Sequence, residues 1–373
     1  RLGAQQRVQE ALLARLAPGS LLGQRLPIGV EETIMGVQEQ DFRDYYGKYY
    51  VPSNMTVMVV ADMDEQAVVE QIRTHFASFE NKPRPADQDA GFKADAAPRA
   101  IVITDPELTS ASVSITRLEP LRPPTTTVEQ YRRDLVEDLA AAAINQRLDA
   151  RVAAGGTPYL RAGIGAQEIQ QAMRLVSMNA SGEPGAWKEM LEAAVTEARR
   201  AQLHGVTQRE LDEARAGLIS RAEAAAERES TLPAQAIIGR LNATVAAGEP
   251  FMSAQQRLEL VRTLAPTITR EEIASTLASM ADFSNAVFQL TTPSAAAAGA
   301  GAATSVPSEQ DLLQAGVTAL KATPEAEKES AALGSLMEKP PAPGTVAEQS
   351  VHAPSGVASA WFSNGVLVHH KFM

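Results

Sequence analysis

The sequence predicts an α+β protein: two units built of strands and amphipathic helices, a long linker, and the opening hairpin of a third unit. Three observations carry this. Apolar runs of strand length, Met55 to Ala61 and Ala111 to Thr116 among them, alternate with longer stretches of helical periodicity such as Val128 to Ala153. Thr207 with Glu210, and Thr269 with Glu272, stand at capping-box spacing and mark helix starts. Two stretches rich in Pro, Ala, Asp, Gly or Ser, 80–98 and 294–308, punctuate the pattern as linkers.

Taken in order, Val8, Leu12, Leu13 and Leu16 fall at helical spacing, and the helix ends near Pro18-Gly19. A turn at Arg25-Leu26-Pro27-Ile28-Gly29 follows. Residues 38–50 read as a second helix, closed by Val51-Pro52 because the residue before proline avoids helical dihedrals. Met55 to Ala61 reads as a buried strand, Asp62 to Glu65 as a turn, and Val68, Val69, Ile72 and Phe76 as the apolar face of a helix. Past the linker, Ala100 to Thr104 and Ala111 to Thr116 are strands. The second alternates, with Val113 and Ile115 on one face and Ser112 and Ser114 on the other.

A long helix over 128–153 stops at Gly155-Gly156. Strands around 159–167 and 172–180 come next, then a helix from Trp187 to His204 closed by Gly205. Phe283 to Thr291 closes the unit as a strand, a short helix covers 308–320, and 322–356 reads as irregular. Asn364-Gly365 between apolar runs marks a tight hairpin turn.

Composition excludes several functions. The 373 residues carry a net charge of −11 and a pI of about 5.1, without the basic stripe that nucleic-acid binding requires. There is no cysteine, which removes disulfides, thiolate zinc sites and thiol catalysis. No apolar run approaches the roughly 20 residues that span a bilayer as a helix. The chain begins at Arg1 without an initiator Met and stops at Met373 directly after a strand-like run, so both ends read as cuts in a longer polypeptide.

No complete active site is visible, and the sequence assigns no catalytic, cofactor-binding or metal residue. The five histidines are His75, His204, His352, His369 and His370, and none has a second ligand one helical turn away. His369 and His370 are adjacent, and neighbours on a strand point to opposite faces. Gly163-Ile164-Gly165 lacks the third glycine of a dinucleotide fingerprint and reads as a strand bend. Asp41, Asp44, Asp62 and Asp64 sit near helix starts or turns, where Asp serves as a cap, and Glu31-Glu32 reads as a solvated turn. Tyr45, Tyr46, Tyr49 and Tyr50 read as a helix face packed on a sheet, with a binding platform as the alternative.

The string from Phe42 through Tyr45-Tyr46-Gly47-Lys48-Tyr49-Tyr50-Val51-Pro52-Ser53-Asn54-Met55, preceded by Pro27-Ile28-Gly29 and followed by Thr56 to Asp62, resembles the M16 (pitrilysin/insulinase-type) zinc metallopeptidase family. Ala61-Asp62 stands where the family has Gly-Asp. Phe362-Ser363-Asn364-Gly365-Val366-Leu367-Val368 resembles the strand that opens each half of a two-half member.

The resemblance implies M16-type (LuxS/MPP-like) domains, with antiparallel-rich sheets packed with helices, in halves that close like a clamshell around a peptide. It implies zinc in the full-length parent, held by an inverted His-x-x-Glu-His motif and a distant glutamate. Arg1-Leu2-Gly3 resembles the end of the string following that glutamate, which places every ligand before residue 1 and none in this chain.

The expected layout is 1–80 as the C-terminal part of a first M16 domain, 81–97 a linker, 98–293 a second M16 domain, 294–356 an interdomain linker, and 357–373 the first hairpin of a third. The expected activity is zinc-dependent hydrolysis of peptides or unfolded segments. The alternative is a catalytically silent homologue acting as scaffold or partner subunit. The expected partners are such a substrate and the missing parts of the same polypeptide. The expected location is the bacterial periplasm or beyond it, with the cytoplasm as alternative.

Overall fold

Five strands of the computed structural model form one mixed sheet: β1 (Arg99–Asp105), β2 (Ala111–Glu119), β3 (Arg161–Ile169), β4 (Met173–Gly182) and β5 (Val287–Pro293), in the order β1-β5-β2-β4-β3. Three of its four pairings are antiparallel, and β1 with β5 is parallel. The structure describes residues 3–25, 29–169, 171–294, 306–329 and 342–371. They belong to two units, 1–329 and 330–373. The Arg1-Leu2 and Leu26-Pro27-Ile28 parts of the family strings lie outside the described residues, as do 295–305 and 330–341 of the expected linker.

The alternation read in β2 sets its two faces. Val113 and Ile115 are fully buried, while Ser112 and Ser114 are half-buried on the other side. Against the apolar face lie α6 (Val128–Ala154) and α7 (Trp187–His204). Small residues on α6, Ala140 and Ala143, let it approach closely, and Leu139, Ile144 and Leu148 fill the space with Met178, Leu191 and Phe288. Thr127 and Gln130 form a capping box at the start of α6, and Gly155, at φ +80°, ends it.

Four helices follow: α8 (Gln208–Arg228), α9 (Ala234–Ala247), α10 (Ala254–Leu264) and α11 (Arg270–Met280). The capping boxes expected at Thr207/Glu210 and Thr269/Glu272 are formed, and Ser253/Gln256 supplies a third. The last strand starts at Val287, four residues later than the apolar run that began at Phe283. Phe283 is buried ahead of it, in a turn that delivers the chain to the sheet.

Part of the opposite face is covered by α1 (Ala4–Leu16) and α2 (Leu21–Gln24), whose Leu16 and Leu22 pack with Ile101, Ile103, Met173 and Leu175. Arg99 reaches from β1 to donate to the carbonyls of Arg15 (2.9 Å) and Leu16 (2.6 Å), satisfying the last turn of α1. Arg7 holds Asp105 in a two-point pair at 2.8 Å. The stretch 81–97 is irregular, yet it is docked: Leu21 N–H donates to Ala90 O at 2.8 Å, and Phe92 joins the apolar cluster.

Two expectations fail in the first segment. It forms α3 (Glu31–Gly36), α4 (Glu39–Tyr49) and α5 (Glu65–Phe76), but 55–61 is not a strand, and Met55, Val57 and Val59 are exposed. An apolar run becomes a buried strand only where another strand completes its hydrogen bonds, and none is adjacent among the described residues. For the same reason the tyrosines do not pack on a sheet. Tyr45, Tyr46 and Tyr50 are more than half exposed and stack on one another, with Tyr46–Tyr50 centroids 4.3 Å apart.

The stretch 294–356 contains more structure than a linker. Helix α12 (Glu309–Ala319) packs on α7, β1 and β5, with Leu312 fully buried. In the second unit β6 (Val346–His352), β7 (Val357–Phe362) and β8 (Leu367–His370) form an antiparallel sheet in that order. The Asn364-Gly365 turn forms as read, with Gly365 at φ +82°. β6 falls where irregular chain was expected. Its run of Ala, Glu, Gln and Ser lacks strand periodicity, and it becomes a strand by backbone pairing to β7.

Gly316 explains how α12 reaches the sheet. A Cβ there would lie 2.4–2.7 Å from the Phe288 ring, inside contact distance. Gly316→Ala must push α12 off β5, and the expected cost is about 1–3 kcal/mol, as for other overpacked cores. Urea unfolding followed by circular dichroism measures it; an unchanged midpoint would show that the helix is not seated on Phe288.

Candidate functional site

The structure disperses the residues that could have carried metal chemistry. His75 lies on the exposed α5, His204 ends α7, and His352, His369 and His370 lie on β6 and β8 of the second unit. His204 Nε2 is 2.9 Å from Pro324 O, and His369 Nδ1 is 2.7 Å from Ser359 Oγ. In the β7–β8 register His369 faces Ser359 and His370 faces Ala358, on successive positions of alternating face. Among the described residues no group of three or more His, Asp or Glu could hold a metal ion. A zinc site of three protein ligands and a water therefore does not fit these side chains.

The carboxylates do local work. Asp64 caps α5 by accepting from Ala67 N–H at 3.0 Å, and Asp41 closes the capping box of α4. Gly163-Ile164-Gly165 lies within β3, which continues straight through it. Asn145 of α6 grips Ile164 there, accepting from its N–H (2.7 Å) and donating to its carbonyl (3.0 Å).

A cleft of the first unit, about 450 Å3, lies between α6, the 121–125 loop, the β3–β4 turn and the end of α9. Its wall is an ion-pair chain. Arg174, only 5% exposed on β4, donates to Glu119 (2.6 Å) and Glu137 (2.7 Å). Glu119 also takes Arg117, and Glu137 takes Arg122 at 2.5 Å. Burial pushes the Glu119 pKa up, but the guanidiniums of Arg117 and Arg174 outweigh it and hold it below the ordinary value. Desolvation, with Asp134 and Glu137 alongside, holds Asp138 above its ordinary value. Each arginine of this ion-pair network is matched by a carboxylate, so the arrangement braces β4 against α6. The sequence signal for it was a lone arginine, Arg174, between Met173 and Leu175 in a buried strand.

A second ionic cluster joins α6, α7 and α8. Arg147, 3% exposed at its side chain, makes a two-point pair with Glu210 at 2.6 and 2.7 Å. Arg151 and Arg200 both donate to Glu197, which is buried on α7. Burial pushes Glu210 up, while Arg147 and then the Thr207 N–H hold it below its ordinary value.

The profile described as "Peptidase M16 inactive domain" matches residues 36–218, from the end of α3 through the first half of α8. The chain is 23% identical over 379 residues to a zinc protease PQQL-like protein of Arabidopsis thaliana, covering 98% of this chain and 35% of that one. This chain carries a domain of the M16 peptidase family.

It is 22% identical over 255 residues to the probable zinc protease PqqL of Escherichia coli K12, covering 67% and 27% of the two chains. The crystal structure of the periplasmic protease PqqL from Escherichia coli shares the M16 fold with a TM-score of 0.79 at 18% identity, over 98% of this chain and 40% of that one. The structure of the first half of that protease matches at 0.78, over 88% and 69%. The chain thus spans about a third of the length of the curated relatives it matches.

Two outcomes are expected. Equilibrium dialysis should find no stoichiometric zinc on the 373-residue chain; one tightly bound zinc that survives replacement of His369 and His370 would reveal a ligand set other than those described. Stability should also decline in acid. Glu210 has a lowered folded pKa, so its contribution is complete above the unfolded value near 4.3 and is lost as pH falls through the folded one. Glu210→Ala strands a buried guanidinium and should cost about 3–5 kcal/mol at pH 7, with a shallower acid limb in urea titrations at successive pH values.

Proposed function

We propose that this chain is the frame of a zinc-dependent endopeptidase that hydrolyses peptides or unfolded segments, with the zinc ligands and the water-activating glutamate carried by polypeptide preceding Arg1. The observation that supports the reading is the match over 98% of this chain to only 40% of a periplasmic protease. In this reading 1–80 is the C-terminal part of a first M16 domain, 98–293 a second, and 357–373 the opening hairpin of a third. The stretches 81–97 and 294–356 join them, and α12 is the part of the latter that belongs with the second domain.

The exposed faces of α4 and 55–61 then receive the remainder of the first domain, whose strands would pair with 55–61. The partners are a peptide substrate and the rest of the same polypeptide, and the setting is the periplasm of a bacterium or beyond it. A second reading is a catalytically silent scaffold subunit, and the description of the matched domain as inactive is compatible with both.

The test uses the whole encoded polypeptide. Metal analysis should give one zinc per chain, and a quenched fluorescent peptide should be cleaved, with activity lost to a chelator and regained with zinc. A folded polypeptide that holds no zinc and cleaves nothing would overturn the enzyme and leave the scaffold.

A further inference from the structure

The chain leaves the first unit along a path held almost entirely by side chains gripping its backbone. After α12 the segment 322–329 runs across the ends of α6, α7 and α8. Arg199 donates to Ala322 O (3.3 Å), Arg200 to Glu325 O (2.8 Å), and His204 Nε2 meets Pro324 O (2.9 Å). Glu327 pairs with Arg151 at 2.5 Å and lies 3.9 Å from Arg147. Glu329 accepts from the Arg209 N–H at 3.2 Å, in the first turn of α8, where a carboxylate is favoured by the helix dipole.

We infer that residues 322–329 are a releasable clasp that sets the length of the tether between the two units. Two features distinguish a clasp from a fixed connection. The first is what stays behind on opening. Arg147 keeps its two-point pair with Glu210, Arg151 and Arg200 keep Glu197, and Arg199 keeps Gln202. No buried charge is stranded, so release avoids the penalty that normally locks a buried ion pair. The second is the contrast with the element just before it. α12 is anchored by Leu312 in the core, by the close seat of Gly316 on Phe288 and by Leu320, its C-cap, packed against the same core, so opening stops there. Release frees the eight residues 322–329 and can lengthen the tether by about 25 Å. The contacts are charge-assisted and partly solvated, so they weaken as salt shortens the screening length to about 3 Å at 1 M. The inference goes beyond the peptidase reading and does not depend on it.

The chain has no cysteine, so spin labels can be placed on the whole protein at will. Lys188→Cys on α7 and Lys328→Cys on the clasp are both exposed positions, and Lys188→Cys with Gln314→Cys on α12 is the reference pair. Double electron–electron resonance should give narrow distances for both pairs at low salt. At 1 M NaCl, or in the variant His204→Ala/Glu327→Gln/Glu329→Gln, the 188–328 distribution should widen at least about twofold, as for a freed tether, while 188–314 stays narrow. A 188–328 distance already broad at low salt would overturn the clasp. So would one that stays narrow under both treatments, or a 188–314 distance that widens with it.

Discussion

The first unit depends on β5 reaching its slot between β1 and β2. Those two strands are successive in sequence but do not pair with each other; β5 lies between them, parallel to one and antiparallel to the other. Without it, β1 has no strand partner among the described residues, and the two faces on which α1 and α12 rest are both divided. Phe288 and Leu290 of β5 are fully buried among the side chains of α6, α7 and α12, so strand pairing and core closure occur together. The intervening helices serve this event. They return the chain from the far side of the sheet to a slot whose two walls formed more than 160 residues earlier.

Arginine is the second organising element. Arg99 satisfies the last carbonyls of α1, Arg117 donates to Ser279 O at the end of α11, and Arg215 donates to Ala265 O and Ile268 O beyond α10. Helix ends leave unpaired carbonyls and a partial negative charge, and a planar guanidinium on a neighbouring element answers both. The same residue type forms the buried chain through Arg174 and the cluster around Arg147. These contacts fix how helices meet strands and one another, a matter apolar packing alone leaves loosely specified. The short polar path after α12 uses the same chemistry in weaker form, on backbone carbonyls.

Local patterns were read well where the signal itself was local. Thr207 with Glu210 sets a helix start by hydrogen bonds three residues apart, and the structure forms that box. That Glu210 also neutralises Arg147, 63 residues away in sequence, was not legible, because nothing near either residue requires the other. Arg174 in its apolar run was a readable anomaly, but its partners Glu119 and Glu137 come from a strand and a helix that only folding brings together. The expected strand over 55–61 failed in an instructive way. Its apolar run describes what the segment can do in company, and its exposure shows that a strand is a property of a pair.

By itself the sequence determined the α+β class, the positions of most helices and of the five sheet strands, the Asn364-Gly365 hairpin, and the family through the Tyr-x-Pro-x-Asn-Met string ending at Met55. These follow from periodicity, caps, turns and short motifs, all written within a few residues. The tertiary structure alone decided the strand order with β5 inserted, the docking of α12 through Gly316, and the pairing of each buried charge. Those depend on contacts between residues far apart in the chain, whose energies appear only when the sheet has closed.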